Sequence, residues 1–143
     1  MGPTLAGQNR AYLAAALAAY KSGARKNPIM VGLASALSNT DIEDTAAFFS
    51  SQKCAVGTSG AEQIAAAREA GAAMCASCHG VNGVPTGEAW PNLLGQSKDY
   101  LQGALKSYAS GDRTHAVMTA LAKSLDDVEA ANIAAYYSGA TCK

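Results

Sequence analysis

Cys75-Ala76-Ser77-Cys78-His79 brings together three side chains able to bond to a metal or to a carbon electrophile. Two cysteines separated by two residues, with histidine directly after the second, form the attachment signature of c-type haem. Each thiol adds to a vinyl group of the porphyrin to give a thioether, and the next imidazole is aimed at the iron as proximal ligand. The same letters have other uses. A closed structural zinc site needs four ligands, and the chain has neither a second C-x-x-C nor an H-x-x-x-H. A thioredoxin-like redox pair belongs in a βαβ context, and this alanine-rich sequence has no convincing strand. Haem attachment is the chemistry these residues imply.

Helices must position the motif. Ser59 as N-cap, with Glu62 three residues on, predicts a helix from about 59 to 73 that leads into it. Gly80, Gly83, Pro85 and Gly87 make the following segment a loop. Further helices are expected over about 98–110, after Ser97 and up to Gly111, and over about 116–123. A last one, about 127–138, places Asp126 and Asp127 at its positive end. The chain is therefore expected to be all-α, with haem replacing much of the core that a unit of this size would otherwise need.

Displacing the sequence by 88 residues reveals a repeat. Pro3-Thr4-Leu5-Ala6-Gly7-Gln8 falls on Pro91-Asn92-Leu93-Leu94-Gly95-Gln96, Tyr12-Leu13 on Tyr100-Leu101, and Tyr20 on Tyr108. Gly23 and Arg25 fall on Gly111 and Arg113, Met30 on Met118, Phe48-Phe49 on Tyr136-Tyr137, and Cys54 on Cys142. Positions 3–54 against 91–142 give 20 identities in 52 ungapped pairs. Alanine bias does not produce the Pro, Gly, Gln, Tyr, Arg, Met and Cys matches. A helix at 9–22 is thus the counterpart of 98–110, and one from near Asn39 to Ser51 that of 127–138. The equivalent of Cys75–His79 would precede residue 1. The expectation is that upstream residues supply a first C-x-x-C-H and an export leader, since such thioethers are made outside the cytoplasm; the alternative is a first unit that has lost its haem.

An electron-transfer haem with six ligands needs a distal partner for His79. Met118 and His115 are the candidates. Met118 is preferred because its repeat mate is Met30, whereas His115 aligns with Asn27, a poor iron ligand. A lone methionine would ordinarily be core filler; duplication at a fixed distance from Gly-x-Arg argues for ligation. His/Met ligation places the potential toward the high end for haem. Pro91 is a source of a carbonyl for the other His79 nitrogen, and Arg113 has the forked guanidinium suited to a haem propionate. Trp90, Leu93, Leu94, Tyr100, Leu101, Leu105, Tyr108 and Leu121 are pocket or core candidates, with Leu93 and Tyr100 assigned to the cofactor. Gly71 either lets the first helix cross against Tyr136 or Tyr137 or is a tolerated glycine. Cys54 and Cys142 lie outside any C-x-x-C and pair with each other, another chain or an upstream residue, because free thiols are uncommon in oxidising compartments.

Composition excludes several classes. Lysine plus arginine equal aspartate plus glutamate at 11 each, which leaves no basic footprint for nucleic acid. The longest apolar run, Ala11–Tyr20, is ten residues, too short to span a bilayer. With 49% hydrophobic residues the 143-residue chain is not disordered and suffices for one ordinary domain or two small ones.

The order P-x-L-x-G-Q, Y-L, Y-x-x-G-x-R, Met, then Leu37-Ser38-Asn39-Thr40-Asp41 and onward to Lys53, followed by the second unit with Cys75–His79, closely resembles the two-haem cytochromes c4. The resemblance covers nearly the whole chain. It implies two all-α class I cytochrome c domains related by a pseudo-two-fold axis with their haems close together. Residues 1–54 would be the C-terminal part of the first and residues 55–143 a complete second. It further implies haem c on Cys75 and Cys78, His79 and Met118 as iron ligands, and Met30 as distal ligand of a first haem. The implied role is a periplasmic electron carrier, without a transmembrane segment and at most peripherally attached to a membrane. Its partners would be redox proteins such as a terminal oxidase or a quinol-oxidising complex. Cys54 and Cys142 depart from the family pattern. Two other roles compete: a cytochrome subunit of a larger dehydrogenase or oxidase complex, and a haem sensor or peroxidase-like enzyme with a labile distal ligand.

Overall fold

A computed structural model describes residues 2–53 and 72–139. Seven helices occur among the described residues: α1 (Arg10–Lys21), α2 (Pro28–Ser35), α3 (Asn39–Ser51), α4 (Ala72–His79), α5 (Lys98–Ser110), α6 (Ala116–Ser124) and α7 (Asp127–Ser138). The only β-type pairing among them is an isolated bridge between Arg25 and Arg113. The all-α expectation holds, and the boundaries of α3, α5 and α7 coincide with those expected. Two differences are informative. Helix α4 continues through the haem motif to His79, where the sequence suggested a stop near residue 73. Helix α2 was not anticipated; Asn27 caps it, its side chain accepting from Met30 N at 3.0 Å, and Pro28 supplies a preset first turn. The predicted helix start at Ser59–Glu62, Gly71, Cys54 and Cys142 lie outside the described residues.

Helix ends are set by short polar side chains. At α3, Ser38 Oγ accepts from Asp41 N at 3.1 Å while the Asp41 carboxylate accepts from Ser38 N at 2.8 Å, a reciprocal capping box. At α7, Asp126 accepts from Val128 N and Glu129 N, and Glu129 accepts from Asp126 N.

Packing follows the repeat. Helix α1 contacts α2 and α3; α5 contacts α6 and α7. The buried faces correspond residue for residue: Leu13 with Leu101, Ala34 with Ala122, and Ala46 with Ala134. Leu101, Ile133, Ala134 and Tyr137 form a buried cluster between α5 and α7, and Cys75, Leu93, Leu125 and Tyr136 pack against it. One end of the haem motif is thereby moored to the core that the two longest helices of the second repeat build.

The two repeats meet along a seam with the same symmetry. Gln8 Nε2 donates to Asn92 O at 2.9 Å, and Gln96 Nε2 donates to Thr4 O at 3.0 Å. Arg25 donates to the Tyr100 hydroxyl at 2.9 Å and stacks over Tyr20, while Arg113 donates to the Tyr12 hydroxyl and stacks over Tyr108. Every partner is the repeat mate of its opposite number, which is the signature of a self-complementary two-fold contact.

Candidate haem attachment site

Cys75 and Cys78 are three residues apart on α4 and therefore project from neighbouring positions on one helical face. Both are free, half-buried thiols. Burial pushes the Cys75 thiol up from its ordinary value, with Cys78 adding in the same direction. Helix α4 ends at His79, and Gly80 turns the chain away at φ +76°, its N–H bonded to Ala76 O at 2.9 Å.

His79 is 6% exposed. Its Nδ1 lies 3.0 Å from Pro91 O. A carbonyl only accepts, so Nδ1 carries the proton and Nε2 keeps its lone pair, the arrangement required of a metal-binding imidazole. Burial lowers the His79 pKa, the Pro91 carbonyl opposes that, and His115 lowers it further. The direction of the shift favours the neutral ring.

Pro91 is itself fixed from two sides. Leu93 N and Leu94 N both donate to Gly83 O, at 2.8 and 3.2 Å, and Gly95 N donates to Tyr137 O at 3.2 Å. Gly83 has φ +79°, and a Cβ there would sit 2.7 Å from Leu94 N and 2.9 Å from the Tyr137 ring. Only glycine lets the loop after the motif press against both the Pro91–Gly95 turn and α7.

Met118 occupies the first turn of α6 and is half-buried; its N–H donates to His115 Nδ1 at 3.3 Å. Asn27 does the same for Met30 on α2. His115 and Asn27 therefore share a capping role, which gives a physical reason for their correspondence in the repeat. Leu93 packs with Cys75 on the α5–α7 cluster. Tyr100 and Arg113 are placed on the seam, lining a cavity of about 270 Å3 together with Arg25, Lys26 and Tyr20. Of the pocket or core candidates, Leu94, Leu101 and Tyr108 are buried, whereas Trp90 is 39% exposed and lies outside the core. Its ring covers Gly87 and its carbonyl accepts from Asn9, so it belongs to the loop and the seam.

The residues present fit a covalently held haem. Two free thiols and a neutral, oriented imidazole converge at the end of one helix. Among the described residues no three His, Cys, Asp or Glu side chains form an alternative metal cluster. Met74, Val81, Val84 and Val117, on the segments that carry the motif and Met118, keep 50–63% of their surfaces in solvent, apolar area that a porphyrin would cover. The buried Tyr137 hydroxyl has no hydrogen-bond partner among the described residues, and burial followed by nearby Cys75 keeps it protonated. Sequence reasoning missed Tyr137, Tyr12 and Gln8 as contributors. The identity of Gln8 with Gln96 was the available signal.

That set of thiols, imidazole and helices is the polypeptide side of a c-type haem site, and known proteins carry the same combination. The sequence profile of the family described as cytochrome c oxidase, cbb3-type, subunit III, matches residues 62–136. A cytochrome c4 from Pseudomonas aeruginosa is 33% identical over 96% of this chain and 75% of its own length. A thiosulfate dehydrogenase electron acceptor from Stutzerimonas stutzeri is 33% identical over 95% of this chain and 69% of its own. The reduced recombinant cytochrome c4 structure from Pseudomonas stutzeri superposes with a TM-score of 0.88 at 30% identity, covering 96% of this chain and 84% of that one. The chain belongs to the cytochrome c4-like c-type cytochromes. It is an electron carrier with haem c bound covalently, and Cys75 and Cys78 are the thiols that hold it.

Proposed function

We propose that His79 and Met118 are the axial ligands of this haem and that the chain relays single electrons in the periplasm toward a terminal oxidase or a similar acceptor. The observation that carries this reading is the His79 Nδ1–Pro91 O bond, which fixes tautomer and ring orientation for a metal that must not change geometry between oxidation states. The haem, when bound, supplies an iron that cycles between ferric and ferrous by one electron. His79 offers Nε2, Met118 offers a thioether that favours the ferrous state, and the α5–α7 cluster excludes water from the attachment side. Arg113 and Tyr100, beside Arg25 and Lys26 at the seam, are suited to haem carboxylates. In the same reading residues 1–54 form the C-terminal part of one cytochrome c domain, with Met30 as its distal ligand, and residues 55–143 form a complete second. No helix among the described residues is long and apolar enough to cross a membrane, in keeping with a carrier that is at most peripherally attached.

Met118→Ala tests the ligand set. The variant is expected to bind carbon monoxide when reduced, to lose its low-spin spectrum and to have a lower potential. A spectrum and potential like those of the wild type would remove Met118 from the site. A second reading, service as electron-accepting partner of a thiosulfate-oxidising dehydrogenase, is favoured by the name of the Stutzerimonas stutzeri relative. Rapid reduction of the purified protein by such an enzyme with thiosulfate supports it, and no reduction discards it.

A further inference from the structure

The Pro91–Asn92 peptide unit touches both repeats at once. Its carbonyl accepts the His79 Nδ1 proton at 3.0 Å, and its N–H donates to Gln8 Oε1 at 2.6 Å. Gln8 secures the neighbouring peptide as well, with Nε2 on Asn92 O at 2.9 Å, and its Oε1 also takes Asn9 N–H at 2.9 Å. Three of the four hydrogen bonds open to the side-chain amide are thus made to backbone. Gln8 is 6% exposed, so water competes weakly for these bonds. The symmetric strap acts on the other repeat: Gln96 accepts from Thr4 N at 2.7 Å and donates to Thr4 O at 3.0 Å, away from the Pro91–Asn92 peptide.

An amide whose N–H is engaged by an acceptor carries more negative charge on its carbonyl oxygen, and bonds in such a chain strengthen one another. A stronger Pro91 acceptor pulls the Nδ1 proton, makes Nε2 a stronger donor to iron and favours the ferric state. We propose that Gln8 is a positioning residue for the haem of the other repeat, raising the basicity of His79 through the Pro91–Asn92 peptide and so lowering the iron potential. The inference rests on the reading of His79 as proximal ligand.

Gln8→Leu and Gln96→Leu in the full-length haem-loaded protein separate this from a structural role. Each cuts one seam strap, but only the first releases the Pro91–Asn92 peptide. A loosened seam admits water, which stabilises the ferric charge and lowers the potential; loss of the relay raises it. The expected result is a raised potential of the His79 haem and an upfield-shifted Nδ1–H resonance of His79 in the reduced Gln8→Leu protein, with the His79 haem of Gln96→Leu close to wild type. Equal shifts of the His79 haem in the two variants, a fall of its potential in Gln8→Leu, or no shift of it in either would overturn the relay. Should Gln8→Leu not fold, the nearly isosteric Gln8→Met carries the same expectation. Hyperfine-shifted His79 ring protons in the oxidised wild type establish the ligand on which the inference stands. Their absence overturns that reading and the relay together, whereas their presence with an unmoved Gln8→Leu potential overturns the relay alone.

Discussion

His79 takes its orientation from one backbone carbonyl, that of Pro91, and Gly83, eight residues before it, makes the contact feasible. Gly83 accepts Leu93 N and Leu94 N while lying against the Tyr137 ring. Gly83→Ala would force a side chain into left-handed backbone and into contact with both Leu94 N and Tyr137. It is expected to cost about 1–3 kcal/mol in denaturant unfolding of the haem-loaded protein. A stability within error of the wild type would mean that the Pro91 turn is not braced through this glycine. At this scale the cysteine pair and the Pro91 carbonyl on His79 were readable beforehand from residue type and spacing. Tyr137 was not, because an aromatic on the last helix reads as core until its hydroxyl is found buried beside Cys75 without a partner among the described residues. Nor was it legible that the guanidinium of Arg113, read as a partner for a haem propionate, also reaches the Tyr12 hydroxyl across the seam and stacks over Tyr108.

Elements are delimited by caps, and caps separate the two candidates for the distal position. His115 Nδ1 caps α6 as Asn27 caps α2, which makes its imidazole replaceable by an amide. His115→Asn should therefore keep the wild-type haem spectrum and most of its stability, while His115→Ala should lose about 0.5–2 kcal/mol. Loss of the low-spin spectrum in His115→Asn would transfer the ligand role to His115. The α3 capping box gives a pH dependence of definite sign. Asp41 accepts from the Ser38 hydroxyl at 2.6 Å and from its N–H at 2.8 Å, and these bonds hold its pKa below the ordinary 3.8. The contribution is complete above 3.8, the unfolded value, and is lost as pH falls through the lower folded value. Acid unfolding should accordingly steepen below about pH 4, and Asp41→Asn should remove that part of the acid limb. An unchanged acid limb in the variant would show that the box adds nothing to stability. Helix ends were legible where Ser, Asp and Gly mark them. Helix α2 is hidden in the sequence because Asn27 enters there only as a poor iron ligand and not as a cap, and α4 passes residue 73 because the C-x-x-C-H segment itself continues the helix.

On the scale of the whole molecule, the repeat seen at a displacement of 88 residues becomes a two-fold seam, with Gln8 and Gln96, Tyr12 and Tyr100, and Arg25 and Arg113 in reciprocal contacts. Sequence identity marked these pairs as equivalent without indicating that they reach across to the opposite repeat, because spacing along a chain carries no information about distance between packed units. The account depends most on a covalent haem held by Cys75 and Cys78. Intact-mass analysis of the denatured protein, paired with a pyridine haemochrome assay on the wild type and on Cys75→Ser/Cys78→Ser, tests this directly. The expected result is one haem retained by the polypeptide through denaturation for this cysteine pair, any further haem tracing to another C-x-x-C-H, and no haem retained through 75 and 78 in the double variant. Haem that extracts freely from the wild type, or a polypeptide mass without haem, would contradict it.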